Sequence, residues 1–152
     1  MTGPSFRFRL ERVRVVRERK EKLAQRELAA AISRRSSTVA ELATADAHVE
    51  RARSEQRSAS AARGAVSATD LLARQVFLER VEAQRRVRVH ELEQREAEVA
   101  ERDAELTSAA SEHEMLERLR ERRRSEHDRE AARREHGALD ELAVTRFHRS
   151  TT

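Results

Sequence analysis

The sequence contains no cysteine, tryptophan or tyrosine, and only one proline, three glycines and four phenylalanines in 152 residues. Without cysteine there are no disulfides and no thiolate chemistry, as fits a cytosolic protein. Three isolated glycines cannot build a phosphate-cradling loop, which excludes a Walker or dinucleotide motif. So few aromatics leave little bulk to fill a globular core. No window approaches the roughly 18 apolar residues of a membrane span, and the basic N-terminus is followed by no apolar signal-peptide core.

What is present is charge and helix-forming side chains: 39% of residues are Asp, Glu, Lys or Arg, and the net charge is +4. So polar a chain could be disordered, but disorder comes with Pro, Gly and Ser enrichment, and two of those three are scarce here. A chain rich in Ala, Glu, Arg and Leu at helical spacing is the signature of a coiled coil. Gly64 is the only glycine or proline between Pro4 and Gly137, so it separates runs of 59 residues (5–63) and 72 residues (65–136). Glycine suits the left-handed residue after a helix end, and Ser67 with Asp70 resembles a capping box opening a second helix. The expectation is one all-α domain over 1–152, an antiparallel two-helix coiled-coil hairpin. Helix one covers about 5–63 with Ser5 as N-cap, the turn about 64–67 and helix two about 68–148.

In the first arm Phe6, Leu10, Val13, Val16, Leu23, Leu28, Ile32, Val39, Leu42 and Val49 suggest one apolar stripe. The step from Leu23 to Leu28 and the polar run 33–38 predict irregular supercoiling there. The second arm keeps a strict seven-residue series through Leu78, Arg85, Leu92, Val99, Leu106 and His113. Folding back so that residue i faces about 133 − i brings Leu28 to Leu106, Leu42 to Leu92, and Val13 and Val16 to Leu119 and Leu116. It also sets segment 96–117, with eight acids against one base, along segment 16–37, with seven bases against three acids. A parallel in-register dimer would lay each block on its own copy, and like charges select against that. At 1.5 Å per residue the arms span roughly 90 and 120 Å, so about twenty C-terminal residues should project unpaired, carrying Leu139, Leu142 and Phe147.

Chemistry finds no foothold. The six histidines are scattered, none with a carboxylate three residues before it, and a two-helix rod encloses no pocket for a nucleophile or oxyanion. The expectation is a non-enzyme with no catalytic residue, cofactor or metal. Arginines at 118, 120 and 122–124, with those of the N-terminal turns, make a basic end, but acids dilute it and no aromatics are interleaved for base stacking.

Three stretches carry a family resemblance. Phe6-Arg7-Phe8-Arg9-Leu10-Glu11-Arg12-Val13, running on through Arg17–Glu21 and Gln25–Ala29, resembles the N-terminal helix of the FliJ family, the coiled-coil component of the bacterial flagellar type III export apparatus. Phe77-Leu78-Glu79-Arg80-Val81-Glu82 resembles the start of its second helix, and Ala138–Ala143 with Arg146 and Arg149 its C-terminal end. The resemblance implies a stalk, like the central stalk of rotary ATPases, acting in flagellum biogenesis, motility and chemotaxis. Its terminal end would bind the export ATPase ring through Phe6, Leu10, Leu139, Leu142 and Arg146. A patch of Leu42, Val49, Phe77 and Val81 would face the export-gate membrane protein. Export chaperones are further implied partners, nucleic acid is not, and the implied location is cytoplasmic, peripheral to the membrane at the flagellar base. From the residues alone, a general coiled-coil scaffold and an arginine-rich nucleic-acid binder stay open, as does the stalk of a related secretion system.

Overall fold

The computed structural model describes residues 5–61 and 67–150, and all its regular structure is two α-helices, α1 (Glu11–Ala61) and α2 (Ala68–Ser150). They pack against each other as a hairpin. Gly64 and the connection around it lie outside the described residues. The opening of α2 is held by its cap: the Asp70 backbone N–H donates to Ser67 Oγ at 3.1 Å, and the Ser67 hydroxyl donates to Asp70 Oδ2 at 2.8 Å. This is the expected box with a shorter acid, whose carboxylate accepts a hydrogen bond from the Ser67 hydroxyl. Helix continuity is supported along the surface by Glu-before-base pairs one turn apart, Glu18 with Lys22 and Glu114 with Arg118. Serines and threonines inside the helices return their hydroxyls to carbonyls four residues back, as Thr44 does to Ala40.

By packing the chain divides into two compact units, each made of one stretch of α1 and one of α2. In the hairpin unit (Leu23–Thr107), Arg34 meets Glu98 at 2.5 Å, Glu41 meets Arg88 at 2.9 Å and Arg53 meets Glu82 at 2.8 Å. Numbers rise on one helix as they fall on the other, so the helices run antiparallel. The pairs 41–88 and 53–82 add to 129 and 135, straddling the expected 133, because long side chains reach a turn either way.

The seam of this unit differs from the expected stripe. The buried residues of α1 are Ala24, Ala31, Thr38, Val49 and Ala52, with Leu28, Leu42 and Ala45 half-buried. Ala24, Ala31, Thr38, Ala45 and Ala52 form an unbroken series of sevens. Leu23, Ile32 and Val39, expected inside, are exposed. The reason is angular: nine residues separate Leu23 from Ile32, so at 100° per residue they sit on opposite sides of the helix. The polar run 33–38 does not break the seam, because Thr38 fills its place with its hydroxyl bonded to the Arg34 carbonyl at 3.1 Å. On α2 the series of sevens holds: Leu78, Leu92, Val99 and Leu106 are half-buried, while Arg85 reaches across to Asp46.

In the terminal unit (described residues of 1–22 and 108–152) α1 starts later than expected. Residues 5–8 are irregular, 9–10 form a turn, and the Glu11 N–H bonds the Phe8 carbonyl at 3.2 Å. Phe6 and Phe8 explain this. Two apart, they point the same way on an extended chain and apart on a helix, and both are half-buried while Ser5, Arg7 and Arg9 are exposed. Val13 and Val16 are also exposed, and Arg14, Val15, Arg17, Glu18 and Glu21 are half-buried. Among the described residues no helix is long and apolar enough to cross a membrane.

Candidate docking surfaces

The terminal unit is stitched by charge more than by apolar contact. Arg14, with its side chain mostly covered, donates to Glu11 at 2.7 Å and to Glu117 at 2.5 Å, and Arg17 pairs with Glu112. The bond to Glu11, then that to Glu117, holds the Arg14 guanidinium above its usual range, and the same bond holds Glu11 below the usual carboxylate range. Beyond this network residues 6–10 lie along α2. Phe6 tilts against the His127 ring, centroids 5.8 Å apart, and an open groove of about 690 Å³ is lined by Phe6, Phe8, Leu10, Leu119, Arg123 and His127 among others.

Phe6 and Leu10 thus share one groove wall, but Leu139, Leu142 and Arg146 lie farther along α2, the first of them twelve residues past His127, or about 18 Å of helix. The five residues that the family resemblance assigns to one docking end are not gathered into one cluster. Leu139 and Leu142 are 62% and 61% exposed, Val144 is similarly open, and Arg146 is exposed. Phe8 and Val144 are not among the residues that the family resemblance assigns to docking. The signals that could have found them are the two-residue spacing from Phe6 and the spacing from Leu139 and Leu142.

In the hairpin unit, Val49, Ala52 and Val81 form a buried cluster with Leu78 packed on it. This corrects the expected gate-facing patch. Val81 is 6% and Val49 3% exposed, so both hold the two helices together and neither offers surface. Phe77, one residue from Leu78 and therefore turned away, is 52% exposed, and Leu42 is half-buried. Leu72 and Val76 continue the exposed apolar surface on the first turns of α2, where no sequence signal distinguished them from core.

Against known families, the sequence matches Flagellar FliJ protein over residues 6–152. The chain belongs to the FliJ family. The match runs from the extended segment at Phe6 through both helices, so it covers both units rather than one motif. FliJ proteins are structural components of the flagellar export apparatus, which makes this chain part of the machinery of flagellar protein export. No curated protein and no solved structure matches it. The groove at residues 6–10 and the open leucines of α2 are among the exposed apolar surfaces of the terminal unit, and Phe77 with Leu72 and Val76 among those of the hairpin unit.

Proposed function

We propose that this protein is a non-enzymatic, stalk-like coupling component: its terminal unit docks on the export ATPase ring, and its hairpin unit presents Phe77 and Leu42 to the export-gate membrane protein. Val49 and Val81 stay in the buried cluster that joins the two helices of that unit. The observation that carries the reading is the pair Leu139 and Leu142, each more than half exposed on a helix that runs on to Ser150. Among the described residues the last cross-helix ion pair toward the ends joins Glu11 to Arg120. The C-terminal turns of α2 are therefore proposed to project past the N-terminal segment as an overhang, on which Leu139, Leu142 and Arg146 contact the ring while Phe6 and Leu10 brace its base. Exposed leucines on a projecting helix are an interaction surface by default, since covering each is worth about 1.5–3 kcal/mol. Proposed further partners are export chaperones, and the proposed location is the cytoplasmic face of the membrane at the flagellar base.

The test is co-purification of the full chain with its cognate export ATPase, with ATP hydrolysis and ring assembly measured in parallel. Leu139→Glu with Leu142→Glu should abolish binding and leave helicity intact, because both positions are solvent-exposed on the helix. Wild-type binding by this double variant contradicts the terminal docking surface, and failure of the unmodified chain to bind or affect the ATPase contradicts the coupling role.

A further inference from the structure

Four arginines share one side of α2 in the terminal unit. At about 100° per residue, Arg118, Arg122, Arg129 and Arg133 fall within an arc of roughly 60°, centred about 110° round the helix from the groove-lining Leu119, Arg123 and His127. All four are exposed, and between positions 111 and 139 no Asp or Glu falls in that arc. The carboxylates that dilute this basic end in the sequence lie off it, and three of them are engaged elsewhere: Glu126 with Arg123 at 3.1 Å, Asp128 with Arg124 at 4.0 Å and Glu130 with Arg134 at 3.4 Å. Arg118 meets Glu114 one turn back at 2.6 Å. Arg122, Arg129 and Arg133 make no ion pair or hydrogen bond among the described residues. Arg118 with Arg122, and Arg129 with Arg133, are like charges four residues apart, which destabilise a helix standing alone. The face therefore works against the helix that carries it until an anion covers it.

We infer that this face docks an acidic α-helix of another protein, one with carboxylates at i, i+4, i+11 and i+15. That is the spacing of the four arginines, and because both partners rise about 1.5 Å per residue the charges stay in step along roughly 22 Å. The pattern reads the same in either direction, so it fits a parallel or an antiparallel partner. The narrowness of the arc decides the class of partner. A membrane or a nucleic-acid duplex is broader than a helix, and would also come within a Debye length of about 8 Å of Glu121, Glu126 and Asp128 beside the arc. One helix meets the arginines alone, and their planar forks take carboxylates two bonds at a time. This surface is separate from Leu139, Leu142 and Arg146 and stands whether or not those residues bind the ATPase.

The probe is a labelled helix-forming peptide with glutamates at i, i+4, i+11 and i+15, compared with a peptide of the same composition whose glutamates are spread round the helix. Each is titrated with the full chain at physiological ionic strength and followed by fluorescence anisotropy. The patterned peptide should bind the more tightly. Arg122→Gln with Arg129→Gln should weaken its binding roughly five- to twenty-fold, since each exposed pair is worth up to about five-fold in affinity. Arg124→Gln with Arg134→Gln removes the same charge from arginines whose carboxylates lie within the helix, and should leave binding nearly unchanged. All four positions are exposed, so circular dichroism should show the same helicity in both variants. Equal binding of the two peptides, or equal loss in the two variants, overturns the inference. So does binding of a single-stranded oligonucleotide or a phosphatidylserine vesicle through Arg122 and Arg129 when the patterned peptide does not bind.

Discussion

Replacing Ala31 with leucine should destabilise the hairpin, although leucine is the commoner residue in coiled-coil seams. Ala31 is 0% exposed, so its methyl group is fully covered. Leucine adds three carbons, which would contribute roughly 2 kcal/mol at about 0.8 kcal/mol per buried carbon if room existed. It does not, and forcing such groups into a packed seam costs about 1–3 kcal/mol net. Helix propensity barely distinguishes the two residues. The matched control is Ile32→Ala one position on. Ile32 is 49% exposed, so this change of the same three carbons should cost less than about 1 kcal/mol. Urea melts followed by far-UV circular dichroism compare the pair directly. If Ile32→Ala is the more damaging and Ala31→Leu raises the midpoint, then the larger apolar residues form the seam and the small-residue seam is wrong.

The same melts separate support from surface in the hairpin unit: Val81→Ala, in the buried cluster, should cost about 1–3 kcal/mol, and Phe77→Ala, on the open face, should stay within about 1 kcal/mol. Ser67→Ala removes the acceptor of the Asp70 N–H and should cost about 1 kcal/mol, with Ser67→Gly costing only a few tenths. For acid sensitivity, hydrogen bonds from Arg34 and then Arg95 hold Glu98 below its ordinary 4.5. Its stabilising contribution is therefore present above that value and lost as pH falls through the acid range. Between about pH 5 and pH 3 the wild-type midpoint should fall further than that of Glu98→Gln.

Chain reversal could be read in advance because it rests on long-range bookkeeping of charge: an acidic block at 96–117 and a basic one at 16–37 leave antiparallel pairing as the complementary arrangement. Arg34 with Glu98 and Arg17 with Glu112 are that complementarity at contact distance. The Ser67 cap was legible for the opposite reason, being local. The seam of α1 was not, because its key residues are alanines, and alanine occurs on every face of this helix. Ranking by size promoted Ile32 and Leu23, which cannot share a side, over Ala31 and Ala24, which the structure buries. The start of α1 was misread because Pro4-Ser5 is a good local helix signal, and the contact that overrides it, Phe6 on His127, joins residues 121 positions apart. Of the residues that the family resemblance assigns to the gate-facing patch, whether each faces in or out depends on the helix rotation, and the structure buries Val49 and Val81 while it leaves Phe77 exposed.

The account stands on the helices pairing within one chain, with the acidic return limb against the basic outgoing one. Spin labels replacing Arg34 and Glu98, whose side chains meet at 2.5 Å, measure this directly in doubly labelled chains diluted with unlabelled protein. Losing that ion pair costs only about 0–1 kcal/mol, so the labels leave the fold intact. Helices packed 8–10 Å apart predict a separation below about 25 Å that dilution does not change. A separation of tens of ångströms more, or a short one that dilution abolishes, contradicts the intramolecular hairpin.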